Sequence, residues 1–173
     1  LANVEKLRQK NGETTDINKM QNNAEQILNS LRETIWVLNN KEVSVSDFSD
    51  GFKTYCFKLL RNFEHIGFNA EEQILNNVQL KAGVSIHLNK IMQEVVQNIL
   101  KHSEATEINY SVICNKECVI ILSDNGKGFN IDKNRSGNGL DNMYWRAKEA
   151  GAQLTITSSQ NTGTHVEIKL QML

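Results

Sequence analysis

The sequence predicts an α+β fold. We expect a two-layer sandwich in which a mixed, mostly antiparallel sheet carries helices on one face, preceded by one long helix. Apolar residues recur at helical spacing in segments that alternate with short runs rich in β-branched residues. Several of these short runs are paired across turn-type residues, which is typical of hairpins. With 173 residues and an apolar share of 39%, the chain can bury a core of its own.

The first 40 residues have the pattern of a helix that packs on other helices. Apolar residues return at steps of three and four, which is the seam of a helical bundle. A lone helix cannot bury such a stripe against itself, so either the rest of the chain or a second chain must cover it. We therefore assign residues 1–44 to a separate helical region and 45–173 to the folded domain. The stripe consists of Ile17, Met20, Ala24, Ile27, Leu31, Ile35 and Leu38.

Helices and strands are predicted along the rest of the chain from their spacing and end signals. Ser46 and Asp47 predict an N-cap region. Gly151 is expected to close the last helix. Helices are expected over 47–64, 85–102 and 140–150. Strands are expected at 65–69, 77–80, 107–114, 117–122, 153–158 and 165–170.

Composition excludes several classes of partner and site. A net charge of -1 gives no general attraction to nucleic acid or to anionic lipid. No run approaches the ~20 consecutive apolar residues of a membrane span. The cysteines Cys56, Cys114 and Cys118 have no metal-ligand spacing. We expect them to be packing thiols in a reducing, cytoplasmic setting.

A polar stripe follows one face of the predicted helix over 85–102. Glu94, Asn98, and Lys101 or His102 share this face because they are spaced four, three and one apart. An acid, an amide and a base in this order could hold a hydrated Mg²⁺ and reach phosphate oxygens. The alternative is a solvated stripe whose cations favour the helix C-terminus. The stripe by itself favours that alternative.

A second polar segment begins where an apolar strand ends. Asp124 follows Val119–Leu122 and is itself followed by Gly126 and Gly128. Glycine lets the backbone approach a flat ligand closely, and a carboxylate there can accept a hydrogen bond from the exocyclic amine of adenine. An ordinary Asx turn explains the same residues equally well.

A pair of glycines opens the last predicted helix. Gly137 and Gly139 precede Leu140, so free backbone N–H groups and the positive end of the helix dipole can form an anion site. A plain loop before a helix is the alternative. The dinucleotide and Walker-type glycine patterns are both absent from the sequence.

In this order and at these separations, the three segments resemble the nucleotide-binding domain of sensor histidine kinases. That domain belongs to the ATPase superfamily of gyrase, the ninety-kilodalton heat-shock chaperone and MutL. The resemblance covers about 45–173. It implies Mg-ATP as the ligand, with Asn98 and possibly Glu94 at the metal and both as catalytic residues. The ATP-binding residues that it implies are Asn98, Lys101, His102, Asp124, Gly126, Gly128, Gly137, Gly139, Leu140 and Thr164.

The amino-terminal region resembles the second dimerisation helix of the same family. This implies a homodimer through that helix, a response regulator as partner, and a cytoplasmic module of a membrane-anchored sensor. In the family, the phosphoacceptor histidine is followed by an acidic residue. His65, His87, His102 and His165 are followed by other residues. The chain as given is therefore expected to bind ATP without phosphorylating itself.

Two alternatives stay open at this point. The chain could be a scaffold module that keeps the fold but binds nucleotide weakly. It could also be a protein serine kinase of the same superfamily. Asn98, Asp124, Gly126 and Gly139 argue against the scaffold, and the heptad helix joined to the domain favours the histidine kinase.

Overall fold

The computed structural model describes residues 42–131 and 138–171, except for the side chain of Asn138. Within these ranges the chain forms β1 (Glu42–Ser44), α1 (Val45–Leu60), β2 (Gly67–Ile74), β3 (Gln79–Lys81), α2 (Ala82–Asn98), a π-helical turn (Ile99–Ser103), β4 (Glu107–Cys114), β5 (Glu117–Asp124), α3 (Asn138–Glu149), β6 (Ala152–Ser158) and β7 (Thr164–Gln171).

The main sheet has five strands in the order β2-β4-β5-β7-β6. Strands β2 and β4 are parallel, and the other three neighbouring pairs are antiparallel. The short strands β1 and β3 form a separate antiparallel pair. This arrangement confirms the predicted mixed, mostly antiparallel sheet of an α+β fold.

Side chains alternate along the central strands between a buried and a more exposed face. Ile108, Tyr110, Val112 and Cys114 of β4 are buried, whereas the intervening Asn109 and Ile113 are exposed. The same period-two pattern places Ile120, Leu122, Val166 and Ile168 in one core with the apolar faces of the helices. The core therefore lies between the sheet and the helices.

Helix α1 begins two residues before its predicted start. Ser44, not Ser46, is the N-cap, because its Oγ accepts a hydrogen bond from the Asp47 amide at 3.1 Å. Further along α1, the Ser49 hydroxyl donates to Glu72 of β2 and lies 2.9 Å from the Tyr110 hydroxyl. These bonds fix α1 on the edge of the sheet.

The β2 strand is longer than the prediction over 65–69. Its residues Glu71, Glu72 and Gln73 have low β-propensity, so the sequence did not predict that the strand continues through them. The strand forms because all eight residues pair in register with β4 at the edge of the sheet, where polar side chains reach solvent.

The expectation of separate packing thiols was wrong for one pair of cysteines. The turn at Asn115 and Lys116 places Cys114 directly opposite Cys118, with their Cα atoms 4.1 Å apart, and the structure joins them in a disulfide. Cys56 is a free, fully buried thiol, and burial raises its pKa to about 12.

The predicted dimerisation helix falls on residues outside the described ranges, apart from 42–44, and stays a prediction. Within the described ranges, no helix is both long enough and apolar enough to cross a membrane.

Candidate functional site

An open cavity of about 670 Å³ lies beside α2, the π-helical turn, the end of β5 and the beginning of α3. This volume is within the range of small-ligand sites. Nine of the residues predicted for the site line it: Glu94, Asn98, Lys101, His102, Asp124, Gly128, Gly139, Leu140 and Thr164. Residues far apart in sequence thus meet on one surface, which the three separate patterns could not establish.

Two predicted glycines have other positions. Gly126 does not line the cavity but packs behind it, where a Cβ would overlap with the carbonyl oxygen of Ser103. Only glycine leaves room for this approach, so Gly126 supports the cavity wall. Gly137 lies outside the described residues.

The π-helical turn sets the directions of Lys101 and His102. Helix α2 ends at Asn98 and the chain then widens into a π turn that closes at Ser103. The Ser103 hydroxyl donates to Ile99 O at 2.8 Å and accepts from the Ala105 amide at 3.0 Å. Such turns are frequent at functional sites because they redirect side chains at a helix end. Sequence analysis predicted an unbroken helix here.

Asp124 is the most unusual polar group in the cavity. Its side chain is buried, and Oδ1 accepts a hydrogen bond from the Gly126 amide at 2.7 Å. Oδ2 is also buried and has no hydrogen-bond partner among the described residues. Burial raises the pKa of Asp124, while the hydrogen bond from the Gly126 amide and the nearby polar groups of Thr164, which do not reach hydrogen-bond geometry with Oδ2, oppose the rise. An unpaired buried acceptor is costly, so this oxygen indicates a ligand donor.

Glu94 and the first turn of α3 are close neighbours. A Cβ on Gly139 would lie 2.8 Å from Glu94 Oε1, so glycine leaves the space that this carboxylate fills. The backbone N–H groups at the beginning of a helix favour negative charge. The arrangement therefore places the α2 carboxylate at the end of the cavity that α3 borders.

The apolar lining of the cavity was missed in the sequence. Val95 and Ile99 come from the helix face beside Asn98, and Ile156 and Val166 are register partners on β6 and β7. Together with Met143 they offer an apolar surface on which an aromatic base could pack. Val95 and Ile99 are four residues apart, and each directly follows a polar site residue, Glu94 or Asn98. This spacing was the signal that could have revealed the apolar lining.

The residues present fit a hydrated magnesium ion with few protein ligands. Asn98 and Glu94 supply the oxygen atoms that Mg²⁺ prefers, and the remaining positions of such an ion are commonly filled by water and substrate phosphate. In the described ranges, no three acidic, histidine or cysteine side chains form a cluster that could hold a metal.

Comparison with known proteins identifies the family of this chain. Residues 83–173 match the family of histidine kinase-, DNA gyrase B- and HSP90-like ATPases. The sensor protein VraS of Staphylococcus saprophyticus is 37% identical over 97 residues, a match that covers 55% of this chain and 28% of that protein. VraS of Staphylococcus aureus strain COL is 39% identical over 98 residues, with the same coverage. The chain thus spans only part of the length of these curated relatives.

Among solved structures, the fold is similar to a histidine kinase from Acinetobacter baumannii, AdeS. The TM-score is 0.62 at 13% identity, and the match covers 86% of this chain and 78% of that one. A histidine kinase domain from Erythrobacter litoralis gives a TM-score of 0.59 at 16% identity, with 76% and 62% of the two chains covered. These likenesses concern the fold, whereas the family match concerns the sequence of more than half the chain. This protein therefore belongs to the family of histidine kinase-, DNA gyrase B- and HSP90-like ATPases.

Proposed function

We propose that this chain is the catalytic portion of a two-component sensor histidine kinase that binds Mg-ATP in the cavity. It would transfer the γ-phosphate to a histidine outside the present sequence, from which a response regulator receives it. The observation that carries the proposal is the buried, unpartnered Oδ2 of Asp124 at one end of the cavity that Asn98, Lys101 and His102 line. One site thereby combines a hydrogen-bond acceptor for the adenine base with basic side chains for the phosphates.

Each residue has a distinct task in this proposal. Asp124 accepts a hydrogen bond from the adenine amine, and the apolar lining packs on the ring. Lys101 and His102 attract the phosphates from the π-helical turn that follows α2. Asn98 would hold the Mg²⁺, which supplies charge neutralisation on the phosphates. Phosphoryl transfer depends mainly on positioning and electrostatic stabilisation, which these groups can provide without a covalent step.

The role of Glu94 is to hold water at the phosphate end of the cavity. Its carboxylate lies against Gly139 and beside the beginning of α3, away from Asp124 in sequence and on a different element. The alternative role for Glu94 is to polarise the imidazole of the acceptor histidine. We assign the first role because the acceptor in such kinases has its own adjacent acid.

The partners follow from the same proposal. A histidine kinase needs a response regulator, and the apolar stripe of residues 1–44 would form a homodimer with a second copy of the chain. A membrane-anchored sensor with this module on the cytoplasmic side is the corresponding arrangement for the whole protein. The relatives named VraS are sensor proteins, which is consistent with this proposal.

Calorimetric titration with a non-hydrolysable ATP analogue tests the proposal directly. We expect binding that Mg²⁺ strengthens and that GTP does not reproduce. Failure to bind any adenine nucleotide, with or without Mg²⁺, would reject it in favour of a scaffold module. Transfer of phosphate to serine on an added partner, but not to a histidine-bearing dimerisation domain, would favour a serine kinase.

Alanine at Asn98 should remove the contribution of the metal. We expect Asn98→Ala to abolish the strengthening of nucleotide binding by Mg²⁺, since the amide oxygen is lost while the adenine end is unchanged. Titrations with and without Mg²⁺ measure the difference. Asn89→Ala is the matched control, because Asn89 is an asparagine of the same helix and is not among the described residues that line the cavity. Equal responses of the two variants to Mg²⁺ would contradict the assignment of Asn98.

A further inference from the structure

Ser158 joins two walls of the adenine end of the cavity without lining it. It is the last residue of β6, and its Oγ accepts a hydrogen bond from the Phe129 amide at 2.9 Å. The same hydroxyl donates to the Gly163 carbonyl at 2.8 Å and lies 3.2 Å from Thr164 Oγ1. Phe129 and Thr164 both line the cavity, whereas Ser158 is not among the described lining residues.

The β6–β7 turn and the loop after β5 are packed tightly together. The Asn161 amide donates to the Lys127 carbonyl at 2.7 Å. A Cβ on Gly128 would overlap with the carbonyl oxygen of Ser159, so the two backbones are in contact. The Asn161 bond is made by backbone atoms and needs no particular side chain. The bond to the Phe129 amide, in contrast, requires a hydroxyl at position 158.

We propose that Ser158 is a positioning residue for nucleotide binding, which acts by fixing the Phe129 peptide and the Gly163–Thr164 peptide, whose residues Phe129 and Thr164 line the same cavity as Asp124. The inference rests on the proposed ATP site. Asp124 pairs with Thr164 in the β5–β7 register, so movement of the β7 end changes the surroundings of its carboxylate. A preorganised site binds more tightly because less order must be imposed when the ligand arrives.

Removal of the hydroxyl tests this role. Ser158→Ala leaves the part-buried Phe129 amide without its acceptor, and we expect affinity for the ATP analogue to fall by roughly tenfold. Ser158→Thr keeps the hydroxyl and should restore most of the affinity. Ser159→Ala is the matched control, since the Ser159 hydroxyl is exposed and contacts only the turn residue Thr162 among the bonds described, at 2.7 Å. It should change affinity by less than about twofold.

Amide hydrogen exchange supplies a readout that general destabilisation does not produce. In the unaltered protein, the Phe129 amide should exchange slowly. In Ser158→Ala it should exchange much faster, while the amides of the central strands β4 and β5 keep their protection. A Phe129 amide that is unprotected in the unaltered protein would overturn the contact itself, even if Ser158→Ala fails to fold.

The outcomes separate this inference from the proposed function. If the unaltered protein binds the analogue and Ser158→Ala binds equally well, Ser158 does not position the site and the ATP site stands. Equal losses in Ser158→Ala and Ser159→Ala would also overturn the inference. If the unaltered protein binds no adenine nucleotide, the proposed function fails and this inference fails with it. A selective loss in Ser158→Ala, restored by threonine, supports the inference.

Discussion

Asp124→Asn should abolish detectable binding of adenine nucleotides while the protein stays folded. The asparagine Oδ1 can still accept the hydrogen bond that Gly126 donates to the aspartate at 2.7 Å. The amide nitrogen then replaces the unpartnered Oδ2 and presents a donor to the adenine amine, which is itself a donor. Losing a charge-assisted bond and opposing two donors costs about 2–4 kcal/mol, or roughly 30- to 1,000-fold in affinity.

Titration calorimetry and chemical unfolding, performed on the same variant, distinguish a binding effect from a folding effect. Asp50→Asn is the control, because Asp50 is an exposed carboxylate of α1 in an ion pair with Lys53. We expect it to bind the ATP analogue as the unaltered protein does. Retained binding by Asp124→Asn would remove Asp124 from the adenine site. Loss of binding that accompanies unfolding would assign the effect to the fold instead.

The raised pKa of Asp124 makes the stability of the ligand-free protein depend on pH. Because burial raises the pKa in the folded state, the group adds stability below its unfolded pKa, and this contribution is lost as pH rises through the folded pKa. At neutral pH the buried carboxylate therefore weakens the ligand-free fold. The free energy of unfolding of Asp124→Asn should be equal to that of the unaltered protein or higher.

Nucleotide binding should move the pKa of Asp124 in the opposite direction. A hydrogen bond from the adenine amine stabilises the charged carboxylate, so the pKa should fall when the site is filled. The carboxyl carbon shift of Asp124, followed by NMR during acid titration with and without the ATP analogue, measures this change. An identical midpoint in both titrations would show that the carboxylate does not contact the ligand.

Gly163→Ala should cause a large loss of stability. Gly163 has a φ of +72°, and an added Cβ would overlap with the backbone carbonyl of Asp124. The left-handed conformation costs a non-glycine residue about 1–2 kcal/mol, and a clash with backbone cannot be relieved by rotation of a side chain. We expect a total loss of more than about 3 kcal/mol, with loss of nucleotide binding.

Substitutions at two other glycines separate the cost of the left-handed backbone from the cost of the clash with Asp124. Gly151 has a φ of +65° but nothing within 4 Å of an added Cβ, so Gly151→Ala should cost only about 1 kcal/mol. Gly51 lies inside α1 with open space around it, so Gly51→Ala should stabilise the protein by about 0.5–1 kcal/mol. Denaturant unfolding of the three variants measures the differences. Equal effects at Gly163 and Gly151 would show that the contact with Asp124 is not tight.

Most of the candidate site could be predicted because each part of it is local in sequence. Glu94 and Asn98 share a helix face by their spacing, and Asp124 ends a strand beside glycines. Lys127 lies between Gly126 and Gly128 and Phe129 follows Gly128, but neither carried a signal of its own. Ser158 was missed because its role depends on the Phe129 amide, a partner 29 residues away along the chain.

The errors in the secondary structure have similar causes. The strand β2 contains Glu71 and Glu72, whose low propensity is overridden by pairing with β4. The N-cap moved to Ser44 because the hydroxyl that meets the Asp47 amide decides the helix start, and Ser46 was an equally good candidate by type. Cys114 and Cys118 became a pair because the turn between them sets the register.

The sequence by itself determined the α+β class, the order of the elements and the residue types at the three polar segments. Periodicity and end signals are local properties, and they act before the chain is folded. Only packing in three dimensions buries Asp124 with one oxygen unpartnered, places Gly126 behind the cavity rather than in it, and holds the β6–β7 turn against the loop after β5. These properties depend on contacts between residues distant in sequence, which exist only once β5, β7 and α2 are packed together.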